Sequence, residues 1–488
     1  MTRTAPAETA PTALQRFRHA LSTDDRLAQI QRGLIGDGMV FETPFGPQEL
    51  LYADYVASGR ALRQVEAFVA EEVLPIYANS HTEASYCGQS ITRMREEARN
   101  IIAQEIGATD DCHVIFSGNG ATEGLNRIVA LLQFRERVAA GENIQVFIGP
   151  YEHHSNILPW RESGATVCEI AEAASGGVDL EALRVALDGA AGADLIVGSF
   201  SAASNVTGLL SEPDAVTRLL KRHGALAIWD YACAAPYLEM SMTPSVDAAK
   251  DAIVFSAHKF PGGPGASGVL VVRDTIVQSA VPTAPGGGTV SFVSPWTQVY
   301  SRHVEDREEA GTPNVIGDIR AALAMLVKSA IGTAYIGARD EALRQRALAA
   351  WRDVPGLRLL GQSEETQALP IFSFQINGPE GRVHHQLITR MLSDRFGVQA
   401  RGGCACAGPY AHRLLGIDQV ASGALQARLA AGEELQKPGW TRLNLSYLHT
   451  DAQADRIIAA VAEVARTATA ASHRYVADPT TARFRASL

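Results

Sequence analysis

Between residues 110 and 275, short apolar and β-branched runs alternate with longer stretches of helical periodicity. The runs are 113–117 (HVIFS), 144–148 (IQVFI), 166–170 (TVCEI), 195–200 (LIVGSF), 225–229 (ALAIW), 252–256 (AIVFS) and 268–272 (GVLVV). Most are nearly continuous in apolar residues rather than alternating, the pattern of a strand covered on both faces. The stretches between them, among them 122–139, 180–187 and 214–223, read as covering helices. This alternation predicts an α/β unit around a mostly parallel seven-stranded sheet. Ligands of such sheets collect at the carboxyl ends of the strands, so chemistry is expected just after each run.

The flanks differ. Residues 1–12, rich in Ala, Thr and Pro, predict a loose arm, followed by helical spacing over 12–34. Beyond residue 320 come a helical stretch (320–351), a strand (370–376), a helix (383–395) and a strand (440–447), a smaller α+β unit. The polar 418–438 segment reads as a surface insertion in it. The expected division is therefore an N-terminal arm and helix (1–45), a large unit (46–320) and a small C-terminal unit (321–488). With 46 % hydrophobic and 20 % charged residues, the 488-residue chain has ample apolar material for large cores.

Lys and Arg total 43 against 53 Asp and Glu, a net charge of −10 without a basic run, so a nucleic-acid partner is not expected. No apolar stretch has the roughly 18 residues of a membrane span, so no membrane partner is expected either. The first residues, MTRTAPAETAPTA, lack the apolar core of a secretory signal. Six cysteines in 488 residues are too sparse for a disulfide scaffold, and a reducing cytoplasm is the expected location.

The strand ends carry the chemistry. After the first run, Gly118-Asn119-Gly120-Ala121-Thr122 opens a helix, a backbone suited to an anion or simply to a turn. After the second comes Glu152-His153-His154-Ser155-Asn156, whose histidines read alone as surface or metal-binding residues. The fifth run ends in Asp230, and the sixth in Ser256-Ala257-His258-Lys259 before a glycine-rich turn. A lysine desolvated there has a lowered pKa and a nucleophilic amine, as a Schiff base requires. An acid, a lysine 29 residues later and an earlier anion cradle together match the needs of pyridoxal phosphate. The lysine holds the aldehyde, the acid keeps the pyridine nitrogen protonated, and the cradle takes the phosphate.

The segments ADYVASG (53–59), 116–124, EHHSNILPW (152–160), SNVTG (204–208), FSAHK (255–259), GGGT (286–289), EAGTPN (309–314) and RGGCACAGP (401–409) occur in an order that resembles the class V aminotransferase family. The nearest branch is the cysteine desulfurase and selenocysteine lyase group, matched over roughly residues 50–450. The resemblance implies fold type I of pyridoxal phosphate enzymes, with Lys259 bound to the cofactor, His153 stacked on its ring and moving protons, and Asp230 at the ring nitrogen. It implies phosphate contacts from Ala121, Thr122, Ser256 and His258, and Asn205 near the ring hydroxyl and substrate. Thr289 would reach the phosphate in a neighbouring subunit, hence a homodimer with shared sites. Arg442 would clamp the carboxylate of a small amino-acid substrate, a task suited to a guanidinium fork.

Arg401, Gly403, Cys406 and Pro409 match the desulfurase spacing. A Cys406 thiolate, aided by Arg401 and the turn's N–H groups, would take sulfur from L-cysteine as a persulfide, release alanine and serve a sulfur-acceptor protein. A packed thiol is the other reading of Cys406. Cys404 and Cys406, lacking a second pair, make a poor zinc site, so no metal is expected. Three features depart from the group: Cys233 where glutamine is usual, Cys404-Ala405 where histidines often precede the nucleophile, and the 418–438 insertion. Cys233 motivates the alternative, an aminotransferase, epimerase or C–S lyase reaction without a persulfide.

Overall fold

The computed structural model describes residues 10–79, 83–379 and 381–487. Its large sheet has seven strands: β1 (Cys112–Phe116), β2 (Ile144–Ile148), β3 (Thr166–Glu169), β4 (Leu195–Ser201), β5 (Leu226–Asp230), β6 (Ala252–Ser256) and β7 (Gly268–Arg273). In space they run β1-β7-β6-β5-β4-β2-β3. Only β7 runs antiparallel to its neighbours; the remaining pairs are parallel. The apolar runs are continuous because both faces are buried. Ile253 and Phe255 belong to one core, while Ala252 and Val254 on the same strand belong to the other.

Helix α1 (Ala121–Leu131) ends early. The expected helix over 122–139 is broken at Gln133, a left-handed residue with φ of 53°, and restarts as Phe134–Ala139. The expected helix over 320–351 is likewise two: α2 (Val315–Ile331) and α3 (Thr333–Trp351), separated by Gly332 at φ 86° and bent by 74°. Helix α2 is buried around most of its circumference, packed on the helix Tyr86–Glu105. No single described helix is long and apolar enough to cross a membrane. The helical spacing over 12–34 also divides, into Ala13–Ala20 and Arg26–Gly33. Residues 1–9 of the expected arm lie outside the described residues.

A second sheet orders β8 (Leu357–Leu359), β9 (Ile371–Gly378), β10 (Arg401–Gly403) and β11 (Trp440–Asn444) as β8-β9-β11-β10, all antiparallel. Its core is separate, gathered around Trp351, Phe372, Phe374 and the helix Asp451–Ala471. Residues 51–52 pair in parallel with 398–399, which draws 53–59 toward β10 and β11. The 418–438 insertion contains a helix, α4 (Gln419–Ala430), with no buried residue.

Candidate active site

Loops from the carboxyl ends of β1, β2, β4, β5 and β6 meet β10 and β11 around one cavity of about 250 Å³. Ala121, Thr122, His153, Asn205, Asp230, Ser256, His258, Lys259, Arg401, Cys406 and Arg442 all line it. Thr289 does not. Its hydroxyl donates to the Gly286 carbonyl at 2.7 Å, closing the 286–289 turn elsewhere on the chain.

The anion cradle follows from backbone geometry. Gly120 sits at φ 102°, and a Cβ there would lie 2.6 Å from Ser256 Oγ, so only glycine fits. Helix α1 begins at the next residue, and the Ala121 N–H donates to Ser256 Oγ at 3.1 Å. The N-terminal end of the helix dipole favours an anion. The Thr122 and Ser155 hydroxyls hydrogen-bond at 2.7 Å. From the EAGTPN segment, Glu309 accepts from the Phe116 N–H at 2.7 Å and from Arg99, fixing the end of β1 that carries this turn.

Lys259 closes a short turn after β6. Burial pulls its pKa below the ordinary 10.5, with Cys233 and Asp230 opposing. The turn is clamped from outside: Gly59 N–H donates to the His258 carbonyl at 3.0 Å, and a Cβ on Gly59 would sit 1.9 Å from the Phe260 oxygen. Asp230 ends β5 at 4 % exposure, accepting from the Ala232 N–H at 2.7 Å. Burial raises its pKa, while the Ala232 N–H and Lys259 oppose the rise. Buried Cys233 donates to the Ser204 carbonyl at 3.7 Å; desolvation pushes the thiol up to about 11, so it stays protonated at neutral pH. His153 Nδ1 accepts from the Ser155 N–H at 3.1 Å, which assigns its proton to Nε2. Burial, then Lys259, lower its pKa to about 4, so the ring is neutral.

Asp54 organises the opposite wall. One carboxylate oxygen takes Arg442 Nη2 and the other Arg401 Nε, each at 3.0 Å. Arg442 Nη1 donates to the Asn205 carbonyl at 2.9 Å, while its Nε is buried without a partner. Asn205 Nδ2 in turn donates to the Ala405 carbonyl at 2.8 Å, leaving Oδ1 orphaned. Thus two cavity-lining side chains, Asn205 and Arg442, each retain one unpaired polar atom.

Cys406 is exposed on the loop after β10. Ala405 and Cys406 both adopt left-handed backbone, φ 53° and 55°, a conformation that costs a non-glycine residue about 1–2 kcal/mol. Cys404 turns away, donating to the Pro438 carbonyl at 3.4 Å, and burial raises its pKa. Sequence reasoning missed Asp54 and His154, which bind the arginines and the cysteine loop. Both lie in segments that carry the resemblance, but their partners are visible only in three dimensions.

These residues fit pyridoxal phosphate: a cradle that a Cβ would fill, a desolvated lysine, a buried acid and an orphaned amide oxygen. A profile of the aminotransferase class-V family matches residues 51–427, and the chain belongs to that pyridoxal phosphate-dependent family of enzymes. Within the family it is cysteine desulfurase-like. A protein named cysteine desulfurase from Klebsiella pneumoniae is 29 % identical over 426 residues, spanning 86 % of this chain and 94 % of the relative. The solved apo structure of a cysteine desulfurase from Thermococcus onnurineus NA1 matches with a TM-score of 0.73 at 23 % identity, covering 90 % of this chain and 98 % of that one. A cysteine desulfurase structure from Escherichia coli matches at 0.68 and 22 %, covering 91 % and 98 %. At such identities these structures establish the shared fold, fold type I.

Proposed function

We propose that the protein removes sulfur, or selenium, from L-cysteine or selenocysteine, releasing alanine and leaving the chalcogen on Cys406. The observation that carries this reading is that Lys259, His153 and Cys406 line a single cavity. Pyridoxal phosphate would be held by Lys259, by Asp230 at the ring nitrogen, by His153 and Asn205, and by Ala121, Thr122, Ser256 and His258 around the phosphate. Bound there, it supplies an electron sink for negative charge at the substrate Cα.

The protein's own groups account for the rest. Arg442, through its unpartnered Nε, and Arg401 receive the substrate carboxylate against the competing pull of Asp54. The Lys259 amine, its pKa lowered by burial, takes the Cα proton. His153 presents Nε2–H as a proton donor. The Cys406 thiolate forms a bond to the substrate sulfur as the Cβ–S bond breaks. That bond's electron pair stays with Cβ, which takes up a proton, so sulfane sulfur ends on the enzyme and alanine leaves.

The test is product identification. Purified protein given L-cysteine and a thiol reductant yields alanine and sulfide in equal amounts, and Cys406→Ala abolishes both. Full activity in Cys406→Ala rejects the persulfide route. Pyruvate and ammonia instead of alanine favour the second reading, a lyase or another class V reaction, which buried Cys233 motivates as a weaker hydrogen-bond partner than glutamine.

The same reading includes a homodimer, in which Thr289 serves the neighbouring site. It is supported by the apolar hairpin 290–300, where Trp296 is 89 % and Val293 61 % exposed. A sulfur-acceptor protein would collect the chalcogen from exposed Cys406. Six free thiols support a reducing, cytoplasmic location. The division at 45/46 and 320/321 also belongs to this reading, although the second boundary falls inside α2 and the nearest helix break is the bend at Gly332.

A further inference from the structure

We propose that His154 is a positioning residue that latches the Cys406 loop to the cofactor-facing wall; the inference rests on the desulfurase reading of Cys406. The two neighbouring histidines divide their tasks. His153 lines the cavity, whereas His154 turns to the loop, their ring centroids 6.1 Å apart. The His154 N–H donates to the Cys406 carbonyl at 2.8 Å. Its Nε2 accepts from the Gly408 N–H at 2.9 Å. One residue thereby ties the chain on both sides of Ala407, just beyond the left-handed pair Ala405 and Cys406.

Both ties satisfy groups that the loop itself cannot. Gly408 opens the helix Gly408–Leu415, and its N–H belongs to the first-turn donors that have no partner within a helix. The Cys406 carbonyl sits in a bend too irregular for a ladder. Space is tight as well, since a Cβ on Gly408 would lie 3.0 Å from the imidazole Nε2. Burial, then Arg161, disfavour the imidazolium, which keeps Nε2 an acceptor. The Cys406 tie uses the backbone N–H and survives side-chain substitution at 154. The imidazole bond to Gly408 is therefore the one a side-chain change removes, and its loss loosens the hold on two consecutive non-glycine residues at positive φ. Relaxation would carry the thiol away from the sulfur it must reach, even with His153 and Lys259 undisturbed.

The experiment compares His154→Ala and His154→Asn, which cannot reach the Gly408 N–H, with His154→Gln, whose Oε1 can. The protein is used as purified with its cofactor, and melting is followed in parallel. Iodoacetamide alkylation of the Cys406 peptide is timed by mass spectrometry, alongside kcat and KM for L-cysteine. In the Ala or Asn variant, alkylation accelerates about fivefold and kcat falls about tenfold at unchanged KM, as expected of a displaced nucleophile. The Gln variant keeps both within about twofold of the parent. Unchanged alkylation in both Ala and Asn variants, or a Gln variant as impaired as they are, overturns the latch. If the parent protein makes no alanine, the desulfurase reading fails while the alkylation series still judges His154.

Discussion

Lys259, Asp230 and His153 are ordinary residue types whose chemistry is set by where the strands end. Desolvation lowers the amine's pKa, raises the carboxyl's and holds the imidazole neutral, all around one cavity. Removing the amine with Lys259→Ala is expected to cost activity about 10²–10⁴-fold. It should also abolish borohydride trapping of the cofactor, read by absorbance and mass spectrometry of the 259 peptide. Lys259, Asp230 and the glycine turn were legible in sequence because each follows an unmistakable apolar run. Asp54 was not, since its arginine partners lie 347 and 388 residues away. Carbonyl and N–H ties such as those of His154 leave no mark on composition at all.

Elements act here by pressing backbone against backbone. Segment 53–59 crosses the Lys259 turn so closely that Gly59→Ala must displace the Phe260 carbonyl. That variant is expected to lose cofactor binding and to melt well below the parent in a thermal scan. A milder effect is expected at the helix Asp451–Ala471, whose capping box joins Thr450 to Gln453. Thr450→Ala should cost about 1 kcal/mol of stability, measured by denaturant unfolding. Strand positions were readable because burial on both faces leaves continuous apolar runs. Helix breaks at Gln133 and Gly332 were not, because each lies in an unbroken helical pattern and depends on one local dihedral.

For the whole molecule, acid is the expected weakness. Buried His449 accepts from the Ser446 N–H on Nδ1 at 3.0 Å and donates from Nε2 to the Tyr52 carbonyl at 2.9 Å, joining the chain after β11 to residue 52. Burial lowers its pKa from 6.5 to about 4. A lowered folded-state value means that the stabilisation is complete above pH 6.5 and disappears as pH falls toward 4. The loss amounts to about 3 kcal/mol, and His449→Gln should flatten the dependence of the melting temperature on pH over that window. Assembly is the other property of this scale. Replacing exposed Trp296 by serine is expected to convert the proposed dimer to monomer by sedimentation equilibrium, and an unshifted mass would argue against the hairpin as interface.

The order of residues alone determined seven strands and the family, and it singled out a candidate lysine, acid and thiol, because buried strands and motif spacings are local patterns. Only the tertiary structure decided that the Cys406 loop, Asn205, Asp54 and the two arginines share one wall. It did so through close packing of β10 and β11 over the large sheet's strand ends, which converts separations of hundreds of residues into hydrogen bonds near 3 Å.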